Sequence, residues 1–154
     1  MKTKTVFFRL ALGLLFVLPF ALVSCGDDDE DTQPTNLVQF QNTTLTGAKE
    51  VPANNSTATG TFSGTYNQDT KILTYTITWT GLTATNMHFH KGEVGSPGPV
   101  VIPIGSAPYT SPINAQTPPL TQDQEADLLA GRWFVNIHSA AFQGGEIRGQ
   151  VVRQ

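Results

Sequence analysis

The decapeptide Lys71–Thr80 constrains the fold more than any other stretch. Leu73, Tyr75, Ile77 and Trp79 alternate with Thr74, Thr76, Thr78 and Thr80. That period of two puts apolar side chains on one face of a strand and hydroxyls on the other, whereas a helix would scatter both sets around its axis. Such a strand buries one face and wets the other, as antiparallel sheets allow. Comparable runs at Leu37–Thr46, Ala58–Tyr66, Asn86–Lys91, Pro99–Ile104, Arg132–His138 and Glu146–Arg153 lie between Gly-, Pro- and Asn-rich turns. About seven short strands with this punctuation predict a β-sandwich or barrel.

One segment breaks the rhythm. Thr121 and Gln124 have the spacing of a capping box, so Glu125–Ala130 is predicted as a short helix across the end of the sandwich. Leu128 and Leu129 would face inward, Asp123, Glu125 and Asp127 would form its solvated face, and Gly131 would stop it. Pro108–Pro119 is predicted as a long ordered loop. The glycines of Gly92–Pro99 are predicted to make turns, since no strand-to-helix setting makes them a phosphate loop.

The chain begins differently. Lys2, Lys4 and Arg9 precede an uninterrupted apolar run, Leu10–Val23, which contains Pro19. It is short for a hydrocarbon core of roughly 30 Å, and reads as a secretory signal over residues 1–24. The exit Leu22-Val23-Ser24-Cys25-Gly26 resembles the lipobox of bacterial lipoproteins. The resemblance implies cleavage before Cys25 and acylation of its thiol and new amine. Cys25 is the only cysteine, so no intramolecular disulfide can form. The acids of Asp27–Asp31 then repel one another, and residues 25–36 read as a solvated tether. The tether resembles the acidic export signal of surface lipoproteins in Bacteroidetes-type bacteria. That implies display on the outer face of the outer membrane, a periplasm-facing spacer being the alternative.

Residues 37–154 form the single expected domain, with six basic residues against seven acids. No basic patch is available to neutralise phosphates, so nucleic acid is not an expected partner. The membrane is, through the lipid, together with a protein or glycan ligand of unknown identity.

All three histidines lie in two predicted strands. Alternation places Asn86, His88 and His90 on one face, and Asn136 and His138 opposite the core residues Trp133, Val135 and Ile137. Glu146, Arg148 and Gln150 likewise oppose Ile147 and Val151. Were these strands neighbours, His88, His90, Asn136, His138, Glu146 and Arg148 would converge on one polar face. Three readings stay open: a copper or zinc site at His88, His90 and His138, a Glu146–Arg148–His138 network (with Asn136) that only pins strands, or plain solvated histidines. No catalytic residue is assigned, because Ser63 and Ser139 lack a nucleophile-elbow setting. No cofactor is expected beyond that copper or zinc.

Three groups of motifs occur in order: Leu45-Thr46-Gly47-Ala48-Lys49-Glu50-Val51-Pro52 with Ala58-Thr59-Gly60; Gly81-Leu82 with Met87-His88-Phe89-His90-Lys91-Gly92; and Gly98-Pro99-Val100-Val101, Leu129–His138 and Gly144–Gln150. Together they resemble the CHRD domain, named for chordin, an extracellular antagonist of bone morphogenetic proteins. The resemblance implies an extracellular β-sandwich binding module. Growth-factor binding is not carried over to a bacterial protein. Gly81-Leu82, His88-Phe89-His90, His138 and the terminal Gly-Gly-x-x-Arg-Gly run are also similar to copper/zinc superoxide dismutase. That would make His88, His90 and His138 copper ligands and Arg148 an anion guide. The chain departs from that enzyme in lacking a fourth copper histidine, a bridging histidine, a zinc loop and a disulfide.

The expected fold is therefore an all-β, antiparallel Greek-key β-sandwich, immunoglobulin-like or superoxide dismutase-like, with about seven to eight strands and one short helix. The leading expectation for function is a surface-anchored extracytoplasmic binding module without catalysis. The alternative is a copper- or zinc-binding, or redox, protein with a superoxide dismutase-like histidine site.

Overall fold

The computed structural model describes residues 36–154. The signal segment, Cys25 and all of the acidic tether but Asn36 lie outside the described residues. Eight strands form: β1 (Leu37–Thr46), β2 (Thr59–Asn67), β3 (Ile72–Thr80), β4 (Ala84–Lys91), β5 (Val100–Pro103), β6 (Ile113–Gln116), β7 (Trp133–Ser139) and β8 (Ile147–Val151). One helix, α1 (Gln122–Leu129), lies between β6 and β7. No described helix is long and apolar enough to cross a membrane.

The fold is all-β, and its strands form one antiparallel sheet in the order β5-β4-β7-β8-β1-β2-β3-β6. The sheet curls until its two halves face each other like the layers of a sandwich. Phe89 on β4 meets Tyr75 on β3 edge-on at 5.0 Å and Phe62 on β2 at 5.9 Å. Period two holds through the core, where Leu73, Tyr75, Ile77 and Trp79 pack with Met87, Phe89, Trp133, Val135, Ile137, Ile147 and Val151. The halves join through a narrow seam. Register between β1 and β8 is limited to Thr46 opposite Arg148, reinforced by the Gln41 N–H to Val152 O bond at 2.8 Å.

Two expectations are corrected. The predicted loop Pro108–Pro119 contains β6, which extends the sheet beside β3 with Tyr75 opposite Ala115. Alternation over four residues among prolines is too short to stand out. Asp127 was expected on a solvated helix face but is buried, where it pairs with Lys91 at 2.7 Å and Arg132 at 2.6 Å. The helix itself follows its caps. Thr121 Oγ1 accepts from Gln124 N–H, Gln124 Oε1 accepts from Thr121 N–H, and Gly131 follows the C-cap at φ +72°. Leu128 is buried in the core and Leu129 packs against it. The Lys71–Glu125 pair ties α1 to the β2–β3 turn, and the Lys91–Asp127 pair ties it to β4, so the helix bridges one end of the two halves.

Candidate functional site

Strands β4, β7 and β8 are neighbours, so the polar positions do share the outer face of that half. In register, Asn86 faces His138, His88 faces Asn136 and His90 faces Phe134 across β4–β7, while Asn136 faces Arg148 and Phe134 faces Gln150 across β7–β8. Phe134 is the centre of a stack. The His90 ring lies parallel to it with centroids 4.8 Å apart, and the Arg148 guanidinium carbon is 3.4 Å from its centroid, a cation–π contact.

This face is covered rather than wet. The loop between β4 and β5 folds back over it. His90 Nδ1 meets Gly98 O at 3.0 Å, Arg148 Nη2 donates to Glu93 O at 3.3 Å, and Gln150 Nε2 donates to Gly92 O at 2.8 Å. Gly98 is required for this close return, because a Cβ there would collide with the Lys91 carbonyl. It is therefore a close-approach residue rather than simply a turn residue. A second cover comes from the segment after β1, which brings Glu50 beside Arg148 and Asn136. There Gly145, at φ +130°, leaves room for the Glu50 carboxylate that a Cβ would invade.

The histidines converge, each offering a ring nitrogen within 4.8 Å of the others. His88 Nδ1 lies 3.1 Å from His138 Nε2, which is also 3.1 Å from Asn136 Oδ1. His138 Nδ1 meets Gln143 O at 2.8 Å. His90 Nε2 is buried and has no hydrogen-bond partner. Burial, and then repulsion among the three rings, lowers the pKa of His88. Burial also dominates for His90, opposed by its bond to Gly98. Both therefore favour the neutral imidazole.

The Glu146–Arg148–His138 network is not the arrangement found. Glu146 lies just before β8, is buried, and accepts from the Ser56 hydroxyl at 2.6 Å. Among the described residues no hydrogen bond or ion pair links it to Arg148 or His138. The acid facing Arg148 is Glu50, buried with Oε1 unpartnered. Burial raises its pKa, against the lowering pull of Arg148. Period two could not nominate Glu50, which lies outside any strand. Phe134 was within reach, since it sits two residues before Asn136 on the same face. Gly98 and Gln143 act through backbone carbonyls, which side-chain identity does not announce.

The described chain is thus a curled antiparallel β-domain carrying a loop-covered histidine–arginine face. The CHRD domain matches residues 41–151, a span that includes most of β1, all the later strands and every residue of this face, and the chain belongs to that family. No curated protein and no solved structure matches it.

Proposed function

We propose that this chain is a lipid-anchored extracytoplasmic protein that displays one CHRD domain as a binding module on the outer face of the outer membrane. The observation that carries the reading is a coincidence of boundaries. The acidic run ends at Asp31, the first strand begins at Leu37 and the family match begins at residue 41. The first described strand and the family match therefore begin just after the segment read as a tether from a lipidated Cys25. The single thiol supports the same reading, being placed where a lipobox needs it. Two acyl chains or more give the stable attachment that one chain does not.

A binding rather than catalytic role is supported by the site. Among the described residues no hydroxyl is hydrogen-bonded to a histidine, so the face holds no activated Ser or Thr nucleophile. Its ligand would be a protein or a glycan.

Fractionation of cells expressing the full chain tests the anchor and the display. Cys25→Ser should move the protein from the membrane pellet to the soluble fraction, and unchanged pelleting would overturn lipid anchoring. Protease added to intact cells should remove the domain. Protection until the outer membrane is opened would place the module facing the periplasm instead.

A further inference from the structure

Among the described residues, His88, His90 and His138 make no ion pair with an acid. The ion pairs of the described residues join Lys71, Lys91 and Arg132 to Glu125 and Asp127. A neutral imidazole carries one N–H and one lone pair, and the bond made by one nitrogen fixes the state of the other. Gly98 O accepts from His90 Nδ1–H and so puts the lone pair on Nε2, the buried nitrogen that meets no donor. Gln143 O fixes His138 in the same way, leaving its Nε2 facing His88 Nδ1 at 3.1 Å. His88 Nδ1 can donate to His138 Nε2 across that distance, but the lone pair of His90 Nε2 has no such donor. A metal ion is an electrophile that all three nitrogens can share.

We propose that His88 Nδ1, His90 Nε2 and His138 Nε2 are the protein ligands of a mononuclear Zn²⁺ or Cu²⁺ site. Three imidazoles without thiolate or carboxylate suit these borderline ions and not the oxygen-seeking Mg²⁺ or Ca²⁺. The two carbonyls act as the outer ring that orients metal-binding histidines and holds their tautomers. Metal–nitrogen bonds of about 2.0–2.1 Å in a tetrahedron put ligand nitrogens about 3.3 Å apart. The His88–His138 pair at 3.1 Å already meets this. The full set, within 4.8 Å, closes by a side-chain rotation bringing His90 inward while the strands stay fixed. Before metal enters, His88 Nδ1–H donates to His138 Nε2. As the ion takes that place, His88 Nδ1 gives up its proton to solvent and its Nε2 takes one up, so the ring stays neutral. Three protein ligands leave a position for water or an exogenous donor, on the side where His88 and His138 are partly exposed.

The test uses the full chain in detergent, expressed without a His-tag and purified without chelator. Elemental analysis and competition titration with Zn²⁺ and Cu²⁺ should give one equivalent per chain, bound below micromolar free metal. The Cu²⁺ electron paramagnetic resonance spectrum should show coupling to three nitrogens. His90→Ala should weaken binding by at least about 100-fold, while Lys71→Ala binds as the parent does. Less than about 0.1 equivalent taken up at micromolar metal, or parental affinity in folded His90→Ala, would overturn the site. Should circular dichroism show that His90→Ala is unfolded, the nitrogen count on the parent chain decides. Coupling to a single nitrogen would then mark adventitious copper and overturn it.

Discussion

On β2 and β3 the outward side chains include Thr59, Thr61, Thr65, Thr74, Thr78 and Thr80. They meet in hydroxyl pairs such as Thr61–Thr78 at 2.7 Å, and water reaches them. On β4, β7 and β8 the equivalent outward positions hold His88, His90, Phe134, Asn136, His138 and Arg148. There Phe134, Asn136 and Arg148 are each 3 % exposed. Both halves obey the same pleat and send their large apolar residues to the same core. The pleat decides which way a side chain points, and it does not decide what lies on top of it. The loop Gly92–Pro99 and the segment around Glu50 lie over one half, and nothing equivalent among the described residues covers the threonines. Polar groups under such a cover lose water and must find partners in the chain, so each becomes energetically consequential.

The largest contrast is expected between Arg148→Ala and Lys71→Ala. Arg148 lies at the seam, with its backbone opposite Thr46 on one side and Asn136 on the other, and its guanidinium packs on Phe134 beside Glu50. Removing it deletes a desolvated cation–π contact and strands a buried acid, at a cost of about 2–4 kcal/mol. Lys71 also makes a close ion pair, to Glu125 at 2.5 Å, but its side chain is 44 % exposed. Solvent screens such a pair, and its loss costs below about 1 kcal/mol. The left-handed backbone of Lys71, at φ +59°, is no harder for Ala to adopt than for Lys. Urea midpoints of the two variants measure the difference, and equal midpoints would refute the idea that cover sets the cost.

A subtler contrast concerns pH. Burial holds the Glu50 carboxyl above its ordinary 4.5. Between that value and the raised one, the folded chain keeps a proton that the unfolded chain releases. Glu50 therefore lowers stability as pH rises through this window, with no further change above it. Asp127 works in the opposite sense. Lys91 and then Arg132 hold its carboxyl below the ordinary 3.8, against the raising effect of burial. Its contribution is present above that value and lost as pH falls through the folded one. Glu50→Gln should abolish the decline above pH 4.5 and leave the acid-side loss intact. Loss of the charge facing Arg148 shifts the whole curve, so the slope is the readout. Parallel stability curves for parent and variant from pH 4 to 7 would show that Glu50 is not desolvated.

What could be read in the sequence follows the same division. Periodicity placed β1 at Leu37–Thr46 and found β3 and the inward residues of β4 and β7, because one buried face leaves a strict two-residue record. It likewise placed the three histidines on one side. The partners that make that side a built site were hidden. Glu50 reaches Arg148 from a turn nearly a hundred positions earlier, and Gly98 and Gln143 contribute carbonyls that every residue has. The burial of Asp127 was hidden for a related reason, since Lys91 meets it only once β4 pairs with β7.

The smallest expected effect lies on the open half. Thr61→Val keeps the β-branched shape that suits a strand and removes one hydroxyl of the Thr61–Thr78 pair. Both residues sit in register on neighbouring strands, and water can replace the missing partner of Thr78. Cross-strand hydroxyl pairs of this kind contribute roughly 0.2–1 kcal/mol, so a change below about 0.5 kcal/mol is expected. Asn136→Val, an equally small polar-to-apolar exchange on the covered half, should cost about 1–3 kcal/mol, since it removes a partner of His138 from a side chain that is itself buried. Thermal melts of the two variants under one condition compare them directly. A Thr61→Val loss as large as that of Asn136→Val would mean that the threonine face is covered in solution, and that the asymmetry between the halves is not a property of the folded chain.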